Sequence, residues 1–245
     1  MRRCRNQVLS SRTVRYVHTL LNNALKQAVK WQMLRYNPAA LTDLPKKTRS
    51  RKIQPLTEEQ QSQFLNAAEG DRYYTLFVLA LTTGLRPEEY LALRWSDVDV
   101  KKGSVTVERA LIFRKKGKGW YFGEPKTRNA RRTVPLTSMA LQALKEHKRR
   151  QGEEKLLLGA RYRKDLDLLF ATKEGGPVDP DNLRVRHFKA ILPKAELPGT
   201  IRLYDLRHSW VTLSLASGVH VKTVSQWAGH ASAAFTLDTY AHVIP

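Results

Sequence analysis

The sequence contains a single cysteine, Cys4, among its 245 residues. One thiol forms no internal disulfide and has no thiolate partner for a metal site, which excludes a disulfide-stapled domain and favours a reducing intracellular setting. The longest strongly apolar run, residues 75–81, is far shorter than the ~20 residues that span a bilayer. Residues 1–20 are basic and lack the apolar stretch of a signal peptide. We therefore expect a soluble, cytoplasmic protein with no membrane partner.

Acidic residues are scarce relative to basic ones. The chain has 43 Lys and Arg against 22 Asp and Glu, a formal net charge of +21. Residues 1–53 carry 13 of the basic residues and one acid, Asp43, for a net charge of +12. Such a surplus attracts polyanions, so nucleic acid is the expected partner. A solvated basic surface and an acidic membrane face are the alternatives.

Motifs for nucleotides and metals are also missing. The sequence has no Gly-x-x-x-x-Gly-Lys-Ser/Thr loop, so ATP is not implicated. It has no His-x-x-x-His pair, cysteine pair or carboxylate cluster, so neither a metal nor another cofactor is expected. With 42% hydrophobic residues, the chain is still able to bury a core.

The patterning predicts a helical N-terminal segment, a basic linker and a larger domain. Apolar residues recur at three- and four-residue steps from Ser11 to Trp31, which predicts one long amphipathic helix. A single helix cannot bury its own row of apolar side chains. Residues 1–45 are therefore predicted to be part of a small helical domain, or an arm that packs on something else. Residues 46–53 have no apolar period and are predicted to be a linker, and residues 54–245 a compact domain.

The larger domain is predicted to be α+β and mainly α. A capping box formed by Thr57 and Gln60 begins its first helix. Helices are predicted over residues 57–68, 72–83, 87–93, 138–150 and 221–227, and strands over residues 104–113, 120–123 and 131–134. Residues 151–167 are predicted to form an exposed, irregular insertion.

Three places concentrate basic and hydroxyl side chains, and the first is a predicted helix-helix corner. Gly84 is expected to end one helix and Pro87 to begin the next. Arg86 then lies at a helix N-terminus, which is suited to phosphate. The alternative is a surface pair of Arg86 with Glu89, three residues on.

The other two places lie near the C-terminal end. Tyr204, Arg207 and His208 share one face of a predicted helix, and His230 follows a helix-ending glycine. Tyr240 comes ten residues after His230. Taken singly, a histidine after a glycine is usually a surface residue and a tyrosine of this kind usually packs. Taken together, two arginines, a histidine, a lysine and a tyrosine suit phosphoryl transfer to a tyrosine hydroxyl without a metal.

In these motifs the chain resembles the tyrosine recombinases of the phage integrase family. Residues 83–89 match Thr-Gly-Leu-Arg-x-x-Glu, and Gly229-His230 and Tyr240 have the family's order and spacing. The resemblance covers residues 54–245 and implies the tyrosine-recombinase catalytic fold, helices with a small antiparallel β-sheet, preceded by a partial helical core-binding segment. It implies catalytic roles for Arg86, Lys126, Tyr204, Arg207, His230 and Tyr240, with Glu89 and His208 in support.

The implied activity is site-specific recombination, without metal or ATP. Tyr240 attacks a DNA phosphodiester, giving a 3′-phosphotyrosyl link and a free 5′-hydroxyl. Arg86 and Arg207 bind the phosphate, and Lys126 gives a proton to the leaving 5′-oxygen.

The acceptor of the tyrosine's proton is left open by the sequence. Family members often have a histidine where this chain has Tyr204, which is able to bind a phosphate but is a poor base. His208, His230 and water are the alternatives.

The expected partners are double-stranded DNA, further copies of the chain in a dimer to tetramer on DNA, and accessory DNA-bending or directionality proteins. The predicted DNA contacts are Lys46, Lys47, Arg49, Arg51, Lys52, Arg128, Arg131 and Arg132. Two rival functions stay open because the core-binding segment and the end of the chain look short for the family. They are a truncated integrase that only binds DNA, and a topoisomerase-like enzyme that nicks and closes DNA.

Overall fold

The computed structural model describes residues 9–46, 54–113, 119–124 and 131–241. The chain divides into two compact units, Met1–Lys52 and Ile53–Pro245. The predicted linker lies outside the described residues except for its first residue, Lys46, and the predicted boundaries of the linker and the larger domain stay predictions. The interpretation of the first unit as a partial core-binding domain stays a prediction.

The first unit consists of one long helix and a short return segment. Helix α1 (Ser11–Lys30) confirms the predicted amphipathic helix, and a 3₁₀ helix follows at Pro38–Leu41. The imidazole of His18 bonds the carbonyl of Ala39 at 2.7 Å, which fixes the return against the helix. The apolar stripe of α1 stays exposed, with Leu21 at 55%.

The second unit is mainly helical, which confirms the predicted fold class. Its helices are α2 (Glu58–Ala68), α3 (Tyr74–Thr83), α4 (Pro87–Tyr90), α5 (Ser138–Leu158), α6 (Pro180–Asn182), α7 (Lys189–Lys194), α8 (Asp205–Ala216), α9 (Val221–Ala228) and α10 (Ala233–Tyr240), with a π-helical turn at Leu183–Phe188 and 3₁₀ turns at Trp95–Asp97 and Gly159–Arg161. Its strands are β1 (Val98–Asp99), β2 (Ser104–Val107), β3 (Ala110–Phe113), β4 (Trp120–Gly123) and β5 (Arg132–Pro135). Among the described residues, no helix combines the length and apolarity needed to cross a membrane.

The strands form two small antiparallel sheets. One has the order β1-β2-β5, with Val105 opposite Val134, and the other pairs β3 with β4. The single strand predicted over residues 104–113 is therefore wrong, because the chain changes sheets within it. Arg109 lies between β2 and β3, where the chain passes from one sheet to the other, and forms an ion pair of 2.5 Å with Asp97.

The core of the second unit surrounds α3. The helix is apolar on nearly all sides and packs against α5 and α8, as expected for a helix enclosed by its neighbours. Phe77 on α3 meets the edge of Phe64 on α2, with ring centroids 5.4 Å apart, and Phe188 closes the group. This packing holds the C-terminal end of α3, where the candidate site begins, against α8.

The predicted insertion over residues 151–167 is wrong in its first half, because α5 continues to Leu158. Gln151 is 2% exposed, accepts a hydrogen bond from Trp95 Nε1 at 2.6 Å and donates one to the Leu168 carbonyl at 3.0 Å. The polar residue is thus buried with its amide satisfied, which a hydrophobicity pattern does not reveal.

Candidate active site

The corner between α3 and α4 has the predicted geometry. Gly84 ends α3 in a left-handed conformation, at φ 63°, and a Cβ there would lie 2.1 Å from a ring carbon of Trp210. Only glycine fits this close approach. Arg86 follows as the N-cap of α4, and its backbone N–H donates to the Glu89 carboxylate at 2.8 Å.

Glu89 is the buried carboxylate of the site. It is 4% exposed and accepts hydrogen bonds from Arg86 Nη1 at 2.7 Å and from Arg132 Nη1 and Nη2 at 3.0 and 2.7 Å. Burial on its own would raise the pKa of Glu89, but the bonds and charges of Arg132 and Arg86 outweigh it and lower that pKa. The pair of Arg86 with Glu89 therefore exists, as part of a cluster of charges and not as an isolated surface pair.

The same two arginines hold the corner after α9. Arg132 Nε donates to the Trp227 carbonyl at 2.5 Å, and Arg86 Nη2 donates to the Gly229 carbonyl at 2.6 Å. Gly229 ends α9 in a left-handed conformation, at φ 67°, as the sequence predicts. The next residue, His230, is thereby placed beside the arginines.

Arg207 lies in the interior of the second unit, with 2% of its surface exposed. Its Nη1 donates to the Gly84 carbonyl at 2.6 Å, and its buried Nη2 has no hydrogen-bond partner among the described residues. Burial and the charge of Arg86 lower the pKa of Arg207 to about 10, so the guanidinium is still charged at neutral pH. Buried donors are normally paired, so this orientation suits an anion as the missing acceptor.

Tyr240 lies at the end of α10 and is 1% exposed. Its hydroxyl shares a short hydrogen bond with Nδ1 of His208. Burial raises the pKa of Tyr240 to about 12, against the opposing charge of Arg207. Burial also lowers the pKa of His208 below its usual value, so the imidazole is neutral at neutral pH.

His230 also packs against Tyr240. The two rings are stacked at an interplanar angle of 11°, with centroids 6.3 Å apart. His230 Nδ1 bonds the Thr236 hydroxyl at 2.7 Å. Burial and the charges of Arg207 and Arg86 lower the pKa of His230 to about 3.

Tyr204 lies nearer the surface than the other candidates, with 38% of it exposed. Its ring contacts that of His208, with centroids 5.2 Å apart, so these two residues share a face as predicted. Arg207, predicted to lie on the same face, instead points into the interior.

A basic cleft of about 690 Å³ adjoins His230. Arg131, His220 and Lys222 are among the residues that line it. The cleft places the basic side chains of Arg131 and Lys222 next to the buried site.

The predicted residues therefore fall into three groups, apart from Arg132. Arg86, Glu89, Tyr204, Arg207, His208, His230 and Tyr240 are brought together in the second unit. Lys126, Lys47, Arg49, Arg51, Lys52 and Arg128 lie outside the described residues, and their roles stay predictions. Lys46 and Arg131 are exposed. Within the described ranges, no group of three or more side chains is arranged to hold a metal ion.

The side chain of Arg132 lies in a setting that the sequence did not predict. Its predicted contact with DNA stays a prediction, but the side chain is only 6% exposed and its bonds to Glu89 and Trp227 lie inside the site. Successive strand residues face opposite sides, so Arg132 shares a face with buried Val134, and Arg131 faces away. That alternation was a signal that Arg132 points inwards.

Comparison with known proteins shows the family to which the chain belongs. Residues 54–245 match the phage integrase family, and the chain belongs to that family. It is 34% identical over 250 residues to a tyrosine recombinase XerC-like protein of Caldanaerobacter subterraneus subsp. tengcongensis, covering 96% of this chain and 63% of that protein. It is 34% identical over 241 residues to an integrase of Streptomyces ambofaciens, covering 96% of this chain and 61% of that protein. The chain thus spans less than two thirds of the length of these relatives.

Two solved structures show the same fold. The Tn1549 transposon integrase, in complex with circular intermediate DNA, is 26% identical and has a TM-score of 0.78, covering 96% of this chain and 76% of that chain. The XerA recombinase is 26% identical and has a TM-score of 0.60, covering 90% of this chain and 69% of that chain. The expected catalytic fold is confirmed.

Proposed function

We propose that this protein is a tyrosine site-specific recombinase that cleaves and rejoins double-stranded DNA through a 3′-phosphotyrosyl intermediate. The observation that carries the proposal is the meeting of Arg86, Arg207, His230 and Tyr240 in one site, although they come from four separate segments of the second unit. Membership of the phage integrase family and the DNA in the Tn1549 integrase complex support it.

The arginines are placed to bind the phosphate. Arg207 directs a charged, unpartnered Nη2 into the site, and Arg86 lies close enough to lower its pKa. Two guanidiniums that repel each other in the free protein gain a shared counterion when a phosphate binds between them. They also neutralise the charge that builds up on the non-bridging oxygens in the transition state.

His208 is the proton acceptor that the geometry favours. It is neutral at neutral pH and already hydrogen-bonded to the Tyr240 hydroxyl through Nδ1, and we assign Nδ1 as the acceptor in this bond. His230 is a poorer base because its Nδ1 is engaged by Thr236 and its pKa is lowered to about 3. Because the pKa of Tyr240 lies well above that of His208, the proton moves as the tyrosine attacks and not before.

The step balances without an external energy source. The Tyr240 oxygen forms a bond to phosphorus, the bond from phosphorus to the 5′-oxygen breaks, and the tyrosine's proton goes to His208. The leaving 5′-oxygen takes a proton from Lys126, whose role is carried over from the family resemblance. Attack of a 5′-hydroxyl on the phosphotyrosine reverses the step and rejoins a strand.

The DNA duplex is proposed to lie against the exposed cations, among them Lys46 and Arg131. We include in the proposal the partial core-binding role of the first unit, a dimer to tetramer on DNA, accessory directionality proteins and a cytoplasmic location. These parts of the proposal rest on the family resemblance alone.

Covalent trapping tests the proposal. The protein is incubated with a pool of nicked random and genomic DNA fragments, and the DNA that stays attached after denaturation is recovered. Wild type is expected to give an adduct, and Tyr240→Phe none. Tyr162→Phe is a matched control, because Tyr162 is also buried and its pKa is also raised to about 12. Absence of an adduct from wild type, with DNA binding intact, would instead support a protein that only binds DNA.

A further inference from the structure

Glu89 poses a problem for the proposed use of Arg86. A buried carboxylate in direct contact with Arg86 at 2.7 Å offsets the positive charge that the phosphate would require. Arg86 and Glu89 alone would form a nearly neutral pair. The chain supplies a second guanidinium, that of Arg132, to the other edge of the same carboxylate.

We propose that Arg132 is a positioning residue that offsets the charge of Glu89 and so leaves the charge of Arg86 to bind the phosphate. The inference rests on the proposed function, because it assumes that a phosphate is bound at Arg86. Three guanidiniums, of Arg86, Arg132 and Arg207, face one carboxylate in this cluster, which leaves a net charge of +2. Without Arg132 the net charge would be +1.

The contacts of Arg132 suit this role better than a role on the surface. Both Nη atoms of Arg132 donate hydrogen bonds to the Glu89 carboxylate, and Nε donates one to the Trp227 carbonyl. The side chain is 6% exposed, so its charge acts within the site where screening by solvent is weak.

Arg132 also limits the space at the corner that carries His230. A Cβ at Gly229 would lie 2.8 Å from Arg132 Nη1, so the guanidinium lies directly against this glycine. Arg86 holds the carbonyl of the same glycine. One carboxylate, Glu89, thus fixes the two arginines that together fix the corner.

Phosphate binding, measured without DNA, tests the charge argument independently of strand cleavage. Inorganic phosphate is titrated into the full chain, and binding is followed by NMR on the ring signals of His230 and His208. These signals report on the site and not on the surface lysines, and they are assigned with His230→Gln and His208→Gln. The proteins compared are wild type, Arg132→Gln, Arg132→Lys and the double variant Glu89→Gln/Arg132→Gln.

Loss of one positive charge is expected to weaken phosphate binding by about tenfold in Arg132→Gln. Arg132→Lys and the double variant keep the net charge of the cluster, so both are expected to bind within about threefold of wild type. Recovery in the double variant is the outcome that a purely structural role for Arg132 does not produce.

The proposal is overturned if Arg132→Gln binds phosphate as tightly as wild type, or if the double variant binds no better than Arg132→Gln. If Arg132→Gln fails to fold, the two charge-conserving variants carry the test, and a loss of more than about tenfold in both overturns it. Trapping of a covalent adduct by wild type is scored separately. Failure of the proposed function therefore appears as a missing adduct, and failure of this inference appears in the phosphate affinities of the variants.

Discussion

The hydroxyl of Tyr240 is hydrogen-bonded to Nδ1 of His208, a half-buried residue of the second unit. The two side chains come from α10 and α8, 32 residues apart in sequence. A phenol whose pKa is raised to about 12 is a weak nucleophile, so an acceptor already in contact with it matters for the reaction. This contact supports the proposed role of His208 as the acceptor of the tyrosine's proton.

His208→Gln is expected to slow the formation of the covalent adduct by about 10²–10⁴-fold, because the attacking hydroxyl loses its proton acceptor. The measurement is the single-turnover rate of adduct formation. His187→Gln is the control, since His187 is paired with Asp71 and does not contact Tyr240 in the structure. Equal rates for His208→Gln and wild type would assign the proton to water or to His230.

The same role predicts how the rate depends on pH. Burial lowers the pKa of His208 below its usual 6.5, and the neutral form is the one that accepts a proton. The wild-type rate is therefore expected to be flat around neutral pH and to fall only as the pH drops below about 6.5. That acid limb is expected to be absent in His208→Gln, and its persistence there would contradict the role.

Gly84→Ala is expected to destabilise the second unit by about 2–4 kcal/mol, because the new Cβ clashes with Trp210 and the backbone has a positive φ. Gly218→Ala is the matched control: its φ is +80°, and nothing lies within 4 Å of the added Cβ. It isolates the backbone cost, about 1 kcal/mol. Urea unfolding measures both, and equal losses would show that the contact with Trp210 is not tight.

The lowered pKa of Glu89 predicts that the stability of the protein depends on pH. Its pKa is lowered in the folded protein despite burial, so its contribution is fully present above the pKa of the unfolded chain and is lost as the pH falls through the folded pKa. The difference in melting temperature between wild type and Glu89→Gln is therefore expected to be large at neutral pH and to shrink below about pH 4.5. A constant difference for Glu89→Gln would contradict the assignment.

Substitution of Arg207 is expected to abolish adduct formation while leaving the stability of the fold nearly unchanged. Arg207→Met removes a buried charge whose pKa is lowered to about 10, which stabilises the fold, and a hydrogen bond to the Gly84 carbonyl, which destabilises it. These effects are similar in size, so the free energy of unfolding is expected to stay within about 1 kcal/mol of wild type. Adduct formation is expected to be lost. A loss of stability above about 3 kcal/mol would show that Arg207 mainly supports the fold.

Local rules were enough to predict much of the fold from sequence. The capping box of Thr57 and Gln60 forms as expected at the start of α2, because its two hydrogen bonds depend only on residues three apart. Gly84 and Gly229 end their helices as predicted, because the left-handed conformation at a helix-ending glycine is also a local property of the chain. Strand β4 occupies the predicted residues.

Tertiary contacts decided the parts that sequence reasoning missed. Gln151 continues α5 because Trp95 and Leu168, distant in sequence, satisfy its amide in the core. Arg132 points inwards because it donates hydrogen bonds to Glu89 and to the Trp227 carbonyl, which both lie inside the site. Each of these partners lies more than 15 residues away, so only the folded chain brings the pairs together.

The measurement that tests the account most directly is to identify the atom that carries the DNA. The trapped adduct is digested with protease and nuclease, the nucleotide-bearing peptide is sequenced by mass spectrometry, and strands labelled at one end show which end is attached. The account predicts a peptide containing Tyr240, joined to a 3′-phosphate, with a free 5′-hydroxyl on the released strand. Attachment at another residue, or to a 5′-phosphate, would contradict it.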